Sequence, residues 1–313
     1  MNLFLEIINV VLPVFLVIGL GYALGAIGFL TEAANDLFAK FVFWVSAPAL
    51  LFRSVALAPL SATFRADAIG VAALASVLMA AIVYLVSARS GPSRRGVLAQ
   101  GAYRSNMVFV GLPVITGALG DAVLAPAAVF FSFMTPVYNV LAVVVLAAPH
   151  AGGPNGGPDY RKAAKDVAMN PLILSCLAGL VWAGLSLPLP VALDVSLKLT
   201  GNIAMPLALV VIGASMDLSR LRSQWALPLC VSLAKLIVYP GMIYLGLWLV
   251  GATNETVKFT VLMMACPTAV VSHIMAREMK GDDQLAASVV IMTTLLSMAT
   301  IAGWLALFKA LGI

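Results

Sequence analysis

The sequence predicts an all-α polytopic membrane protein: ten transmembrane helices forming two inverted five-helix repeats, with helices four and nine broken. Three observations predict it. Of 313 residues, 62% are hydrophobic and 10% charged, and the mean hydropathy is +1.06; no water-facing surface could absorb that much apolar side chain. Apolar windows of about 20 residues, enough to cross roughly 30 Å of hydrocarbon at helical rise, fit ten times with short gaps. Two of these windows carry a proline at mid-span, in Gly111-Leu112-Pro113 and Ala265-Cys266-Pro267. A mid-span proline removes a backbone donor and clashes with the preceding turn, so each helix should break there and its freed peptide groups need partners.

In chain order the expected spans are Ile7–Ile27, Asn35–Val55, Ala68–Ala88, Val97–Leu119, Ala122–Ala147, Ala168–Leu187, Leu193–Met216, Trp225–Val250, Thr256–Met279 and Gln284–Leu311. The first follows Glu6 with no Lys or Arg before it, which predicts a retained helix rather than a cleaved signal peptide. Basic residues set the orientation. Arg89, Arg94 and Arg95 follow span three; Arg161, Lys162 and Lys165 follow span five; Arg220 and Arg222 follow span seven; Arg277 and Lys280 end span nine. With Lys40 they share one side, against Arg53, Arg65, Lys258 and Lys309 on the other, so the richer side is cytoplasmic and both termini face outward. This topology accounts for the net charge of +5 and leaves no case for a nucleic-acid partner. The expected location is a bacterial inner membrane, with lipid as the surrounding partner.

A linker rich in turn formers starts at Pro149 and divides the chain into a first repeat (1–148), a cytoplasmic linker (149–166) and a second repeat (167–313). Internal similarity supports the division. Pro13 and Gly21 recur 158 positions later as Pro171 and Gly179; the same shift takes Lys40 to Lys198 and Pro48 to Pro206. Pro113 and Pro267 are offset by 154. An odd number of spans per repeat makes the two copies inverted, and matched breaks in inverted halves meet near the midplane.

Half-helix ends at such a meeting present unpaired peptide groups: the N-terminal ends suit an anion, the carbonyl ends a cation or polar donor. The few polar side chains nearby complete the candidate site. Asn106, seven residues before Pro113, shares its helical face and can donate and accept; its plainer role is an interhelical hydrogen bond. Arg104 suits bidentate binding of a carboxylate, or snorkelling. Lys235 sits at the middle of span eight among Leu233, Ala234, Leu236 and Ile237, either as counter-charge to a ligand or as a tether for a broken helix. His273 could take part in proton coupling or be a hydrogen-bonded helix residue. Thr268, Ser272, Thr293, Thr294 and Ser297 could line a path or glue helices. Cys176, Cys230 and Cys266 are scattered through different spans and suggest neither a disulfide framework nor a metal site. There is no catalytic constellation either: no aspartate pair, no His cluster and no Gly-x-Ser-x-Gly elbow falls within the spans.

Ser105 to Val114, reading SNMVFVGLPV and followed by Gly117-Ala118-Leu119-Gly120, resembles the fourth-helix signature of the auxin efflux carrier family. Ala265-Cys266-Pro267 through Ala276-Arg277-Glu278, then Thr293-Thr294-Leu295-Leu296-Ser297, resembles its ninth and tenth helices, and Lys235 five residues before Pro240 its eighth. The resemblance spans essentially the whole chain. It implies a fold of the bile-acid-symporter and sodium/proton-antiporter type, in which helices four and nine cross in one domain and helices one, two, six and seven form a scaffold. It also implies a secondary active transporter of small carboxylates such as malonate, malate or auxin-like acids, working by elevator-type alternating access without a resident cofactor. Coupling to a proton or sodium gradient, and assembly as a homodimer, stay open. In that family the asparagine before the fourth-helix proline contacts the substrate carboxylate, a role carried here to Asn106. The remaining candidate substrate residues are Arg104, Gly111, Pro113, Cys266, Pro267, Thr268 and Ser272, with Lys235 and His273 as compensating or coupling groups. The short linker departs from the long loop of the plant carriers and disfavours auxin itself. The competing readings are a carboxylate sensor in the membrane and a facilitated channel without coupling.

If the two breaks bind the cargo, Pro113→Ala or Pro267→Ala lets a helix continue and lowers transport more than expression. Normal uptake by both purified variants in liposomes would refute the role given to the breaks.

Overall fold

The protein, described from a computed structural model, is seen at residues 13, 16–57, 65–150, 165, 168–215 and 225–313. The linker, apart from Pro149, His150 and Lys165, lies outside the described residues, as does the start of the first expected span. The described elements are helices: α1 Leu16–Ala26, α2 Glu32–Ala56, α3 Ala66–Arg89, α4 Pro92–Tyr103, α5 Leu112–Leu119, α6 Leu124–Ala147, α7 Pro171–Gly184, α8 Val191–Ala214, α9 Ala226–Leu249, α10 Asn254–Met264, α11 Val271–Glu278 and α12 Asp283–Leu311. Their ends are written in the sequence. Thr31, Asn170, Thr253 and Asp282 cap α2, α7, α10 and α12 by accepting from first-turn N–H groups, and Gly312 closes α12 in the left-handed region at φ 68°.

Six stretches, Glu32–Ala56, Ala66–Arg89, Val129–Ala147, Val191–Ala214, Ala226–Leu249 and Asp283–Leu311, are long and apolar enough to cross a membrane. Their outer faces are apolar as well: Leu74, Val77, Leu78, Ile82, Leu85 and Val86 of α3 are all exposed. A contiguous face of that kind is stable against lipid and not against water. The chain is a multi-pass membrane protein.

The helices sort into two groups. In the first, α1 packs on α8, and α2 packs on α7 and α8. Glycines set the approach. A Cβ on Gly21 would lie 2.3 Å from the Val210 carbonyl oxygen, and one on Gly213 2.0 Å from that of Ile18. On the other pair of helices, a Cβ on Gly179 would lie 2.9 Å from the Phe52 carbonyl oxygen, and one on Gly201 2.9 Å from Leu50 Cα. Lipid tails are as apolar as leucine, so close backbone packing rather than hydrophobic exclusion holds membrane helices together, and glycine allows it. An ion pair from Arg53 to Asp194 at 2.7 Å adds a link between α2 and α8. The second group packs α3 on α4, α6 and α9, and α12 on α4, α9 and α11.

Three wide π-turns, Val42–Ser46 in α2, Met107–Gly111 before α5 and Ala234–Val238 in α9, each end two residues before a proline: Pro48, Pro113 and Pro240. The proline ring crowds the carbonyl four residues back, and a wider turn gives it room. Pro240 also strands the Leu236 carbonyl, which accepts instead from Trp304 Nε1 of α12 at 3.0 Å.

The break in the fourth span lies upstream of its proline. α4 ends at Tyr103, residues 104–106 leave the helix, and Pro113 sits in the first turn of α5. Helical turns resume earlier, in the π-turn from Met107 that runs on into α5, where the Val110 and Gly111 N–H groups both donate to the Asn106 carbonyl, so the helix is already under way when it reaches Pro113. In the ninth span Pro267 lies inside the non-helical stretch between Met264 and Val271.

The glycine packing gives a direct test. Gly213→Ala must push apart α1 and α8 at a backbone contact, costing about 1–3 kcal/mol, and lowers the melting temperature of the purified protein. Gly19→Ala, which meets nothing within 4 Å, leaves it unchanged.

Candidate functional site

The two breaks cross and pair. Asn106 N–H donates to the Pro267 carbonyl at 2.8 Å and Ala269 N–H to the Arg104 carbonyl at 3.0 Å, a one-step antiparallel bridge with Ser105 opposite Thr268. The side chains of that central pair then exchange partners. Ser105 Oγ donates to the Met264 carbonyl at 2.9 Å, at the C-terminal end of α10; Thr268 Oγ1 donates to the Gly101 carbonyl at 2.8 Å, at the end of α4. Each break therefore caps the other half-helix.

Lys235 completes the cap on α10. Its side chain is fully buried, and Nζ donates to the Met264 carbonyl at 2.6 Å and to Ser105 Oγ at 2.8 Å, with the Tyr239 ring 4.8 Å away. Cationic charge against a helix C-terminus is favourable, and a short bond from an ammonium is strong. A hydroxyl chain braces the same point: Tyr239 bonds Ser76 Oγ at 2.7 Å and Tyr138 at 3.0 Å.

With both carbonyl ends capped from within, the opposite ends of the breaks border a cavity of about 100 Å³. Arg104, Ser105, Asn106 and Met107 form one wall, and Ala269, Val270 and Val271, at the start of α11, another. α6 supplies Phe131, Thr135 and Tyr138; α2 supplies Val42, Ala47, Leu50 and Leu51; α8 supplies Ala204, Met205 and Ala208. The cavity thus lies between the two helix groups. Arg104 is 4% exposed; its Nη2 donates to Asn139 Oδ1 at 2.6 Å and its Nη1 to the Tyr138 carbonyl at 3.3 Å. Both partners are neutral, and no carboxylate pairs with Arg104 among the described residues. Thr135 Oγ1 is buried and has no hydrogen-bond partner among the described residues.

At one end of the groups' interface a polar cluster joins them. Arg277 of α11 bonds Asp36 of α2 through Nε at 2.9 Å and Ser215 Oγ, just past α8, at 2.6 Å. Gln284 of α12 donates to the Ser215 carbonyl, and Asn35 Nδ2 to Ser215 Oγ at 2.9 Å.

Of the residues singled out from the sequence, Asn106 and Arg104 line the cavity. Pro267 contributes its carbonyl to the crossing, and Thr268 is a cap there. Gly111 and Cys266 face each other behind it: a Cβ on Gly111 would lie 3.5 Å from Cys266 Sγ. Ser272 is buried with its hydroxyl unpartnered among the described residues, and His273 is fully buried with Nδ1 3.0 Å from the Asp283 carbonyl oxygen; neither lines the cavity. Sequence reasoning passed over Tyr138, Asn139, Thr135 and Ser105. Asn139 and Thr135 carried a signal, as polar residues within the fifth apolar span; the others resemble ordinary helix packing until the crossing brings them together.

A cavity where two broken helices cross within a multi-pass bundle, walled by two helix groups, is the geometry of a membrane transport protein. A family model described as "Membrane transport protein" matches residues 6–149 and 160–305. A Rhizobium meliloti protein named "Putative malonate transporter" is 30% identical over 97% of each chain. A Methanothermobacter thermautotrophicus protein named "Uncharacterized transporter" is 26% identical over 96% of this chain and 98% of its own. The chain belongs to this membrane transport family, that of the auxin efflux carriers.

The cap made by Lys235 predicts a stability effect that accompanies the effect on transport. Lys235→Met leaves the Met264 carbonyl short of a buried partner, which costs about 1–3 kcal/mol, so the melting temperature falls as transport is lost. A variant with wild-type stability and flux would show that the cap is dispensable.

Proposed function

We propose that the chain is a secondary transporter that carries a small organic anion, a carboxylate of the malonate class, across the cytoplasmic membrane. The observation that carries this reading is Arg104: a buried guanidinium on the cavity wall whose protein partners among the described residues are neutral. A charge at that depth is expensive unless something offsets it, and a carboxylate would. Asn106, the helical turn that starts at Met107 and the start of α11 at Val271 support the same reading, since helix N-termini favour anions. The relative's name supplies the substrate class; the short linker speaks against auxin.

The movement we propose is of elevator type: the group holding the crossing slides against α1, α2, α7 and α8, and the cavity between the groups opens alternately to either side. Two features support it. The Arg277–Asp36 cluster joins the groups through polar side chains that can part and re-form. Packing inside the static group supports ten spans in two inverted repeats, one on each side of the linker at 149–166. Gly21 meets Val210, and Gly179 meets Phe52; a shift of 158 positions turns one contact into the other with the helices exchanged. The basic side, with Arg94 and Arg277, is taken as cytoplasmic and the termini as external. Coupling is to a proton or a sodium gradient.

Arg104→Gln should weaken malonate binding by about 1.5–3 kcal/mol and Asn106→Ala by about 1–3 kcal/mol, the scale of hydrogen bonds to a charged group. Ligand-induced thermal shifts read both. Unchanged affinity in well-folded Arg104→Gln would overturn the anion site.

A further inference from the structure

Two positive side chains lie near the cavity, and they are not equivalent. Lys235 is fully buried behind Ser105, outside the cavity lining, and its ammonium is held by the Met264 carbonyl, Ser105 Oγ and the Tyr239 ring. Its charge is committed to the end of α10. Arg104 is the one charged side chain lining the cavity among the described residues, and its bonds to the Tyr138 carbonyl and Asn139 Oδ1 leave further N–H groups of its five. The titratable groups around it are Tyr103 beside it, Tyr138 on α6 and Cys176 on α7, none of them acidic in the carboxylate sense.

One carboxylate therefore neutralises the wall. A second would find only neutral polar groups such as Asn106 beside Val42, Leu50, Leu51, Phe131 and Met205, and an ion without a counter-charge is costly there. A protonated carboxyl has no such cost, and the same wall offers it a neutral partner. Thr135 Oγ1, unpartnered among the described residues, can accept from its O–H or donate to its carbonyl. Thr135 lies one turn before Tyr138, whose carbonyl holds Arg104.

We infer that the site takes its cargo as a monoanion, so that a dicarboxylic acid crosses with one carboxyl ionised against Arg104 and the other protonated against Thr135. This rests on the carboxylate reading above and adds to it that a proton travels on the cargo.

The test uses the full-length protein in liposomes with the membrane potential clamped at zero and the internal pH fixed. Initial uptake of malonate is compared with that of malonamate, which has the same frame and a single carboxylate, at equal subsaturating concentrations. As external pH rises past the second ionisation of malonic acid, the malonate-to-malonamate ratio should fall about tenfold per pH unit; using the ratio cancels any titration of the protein itself. A ratio that stays constant or rises, or malonamate that is neither carried nor able to compete while malonate is, overturns the inference and leaves the carboxylate reading standing. Uptake of neither above protein-free liposomes overturns both.

Discussion

Everything at the centre of this molecule depends on one constraint: peptide groups released from a helix inside hydrocarbon must find partners in the protein. The two breaks meet it by pairing with each other. Two backbone bonds join them, and Ser105 and Thr268 each reach across to the final carbonyls of the opposite half-helix. Neither break is satisfied alone, so neither half of the chain can form its site without the other.

The pairing also sorts the helix ends by chemistry. The carbonyl ends of α4 and α10 are used up internally, and the stronger cap, with Lys235, falls on α10. What borders the cavity is the other polarity, the starts of the helices after each break, together with a guanidinium held by neutral oxygens. Two cations in apolar surroundings thus differ in their places: Lys235 stabilises the crossing, and Arg104 lines the cavity with neutral partners.

Prolines serve the same arrangement in two ways. Pro48, Pro113 and Pro240 each follow a wide turn, and α2, the helical stretch from Met107 into α5, and α9 all continue through them without ending. Pro267 alone of the marked pair lies in a break. Around this centre the first group of helices is drawn together by glycine against backbone, a contact that tolerates little change, whereas the groups meet each other where α6 packs on α7 and α11 on α2, across an apolar cavity and through a patch of ion pairs and hydrogen bonds. Rigid packing within a group and exchangeable contacts between groups are what relative movement requires.

The sequence by itself determined the environment and the outline. Sixty-two per cent hydrophobic residues dictate lipid, and the apolar windows expected from Asn35, Ala168, Thr256 and Gln284 match helices that start at Glu32, Pro171, Asn254 and Asp283, where the caps Thr31, Asn170, Thr253 and Asp282 set the ends. It also marked Asn106 and Arg104, since polar groups in an apolar span are costly and need a reason. That the two breaks meet follows from their matched places in the two halves; which atoms pair there, and the parts taken by Lys235, Thr268 and Tyr138, were decided only by the tertiary structure. Met264 and Lys235 are 29 positions apart and Ser105 and Thr268 are 163 apart, so no local pattern records that they meet. A lysine at mid-span has the same local signature whether it holds a ligand or a carbonyl. The partner that distinguishes the two comes from a distant helix, brought there by the need to satisfy a broken backbone.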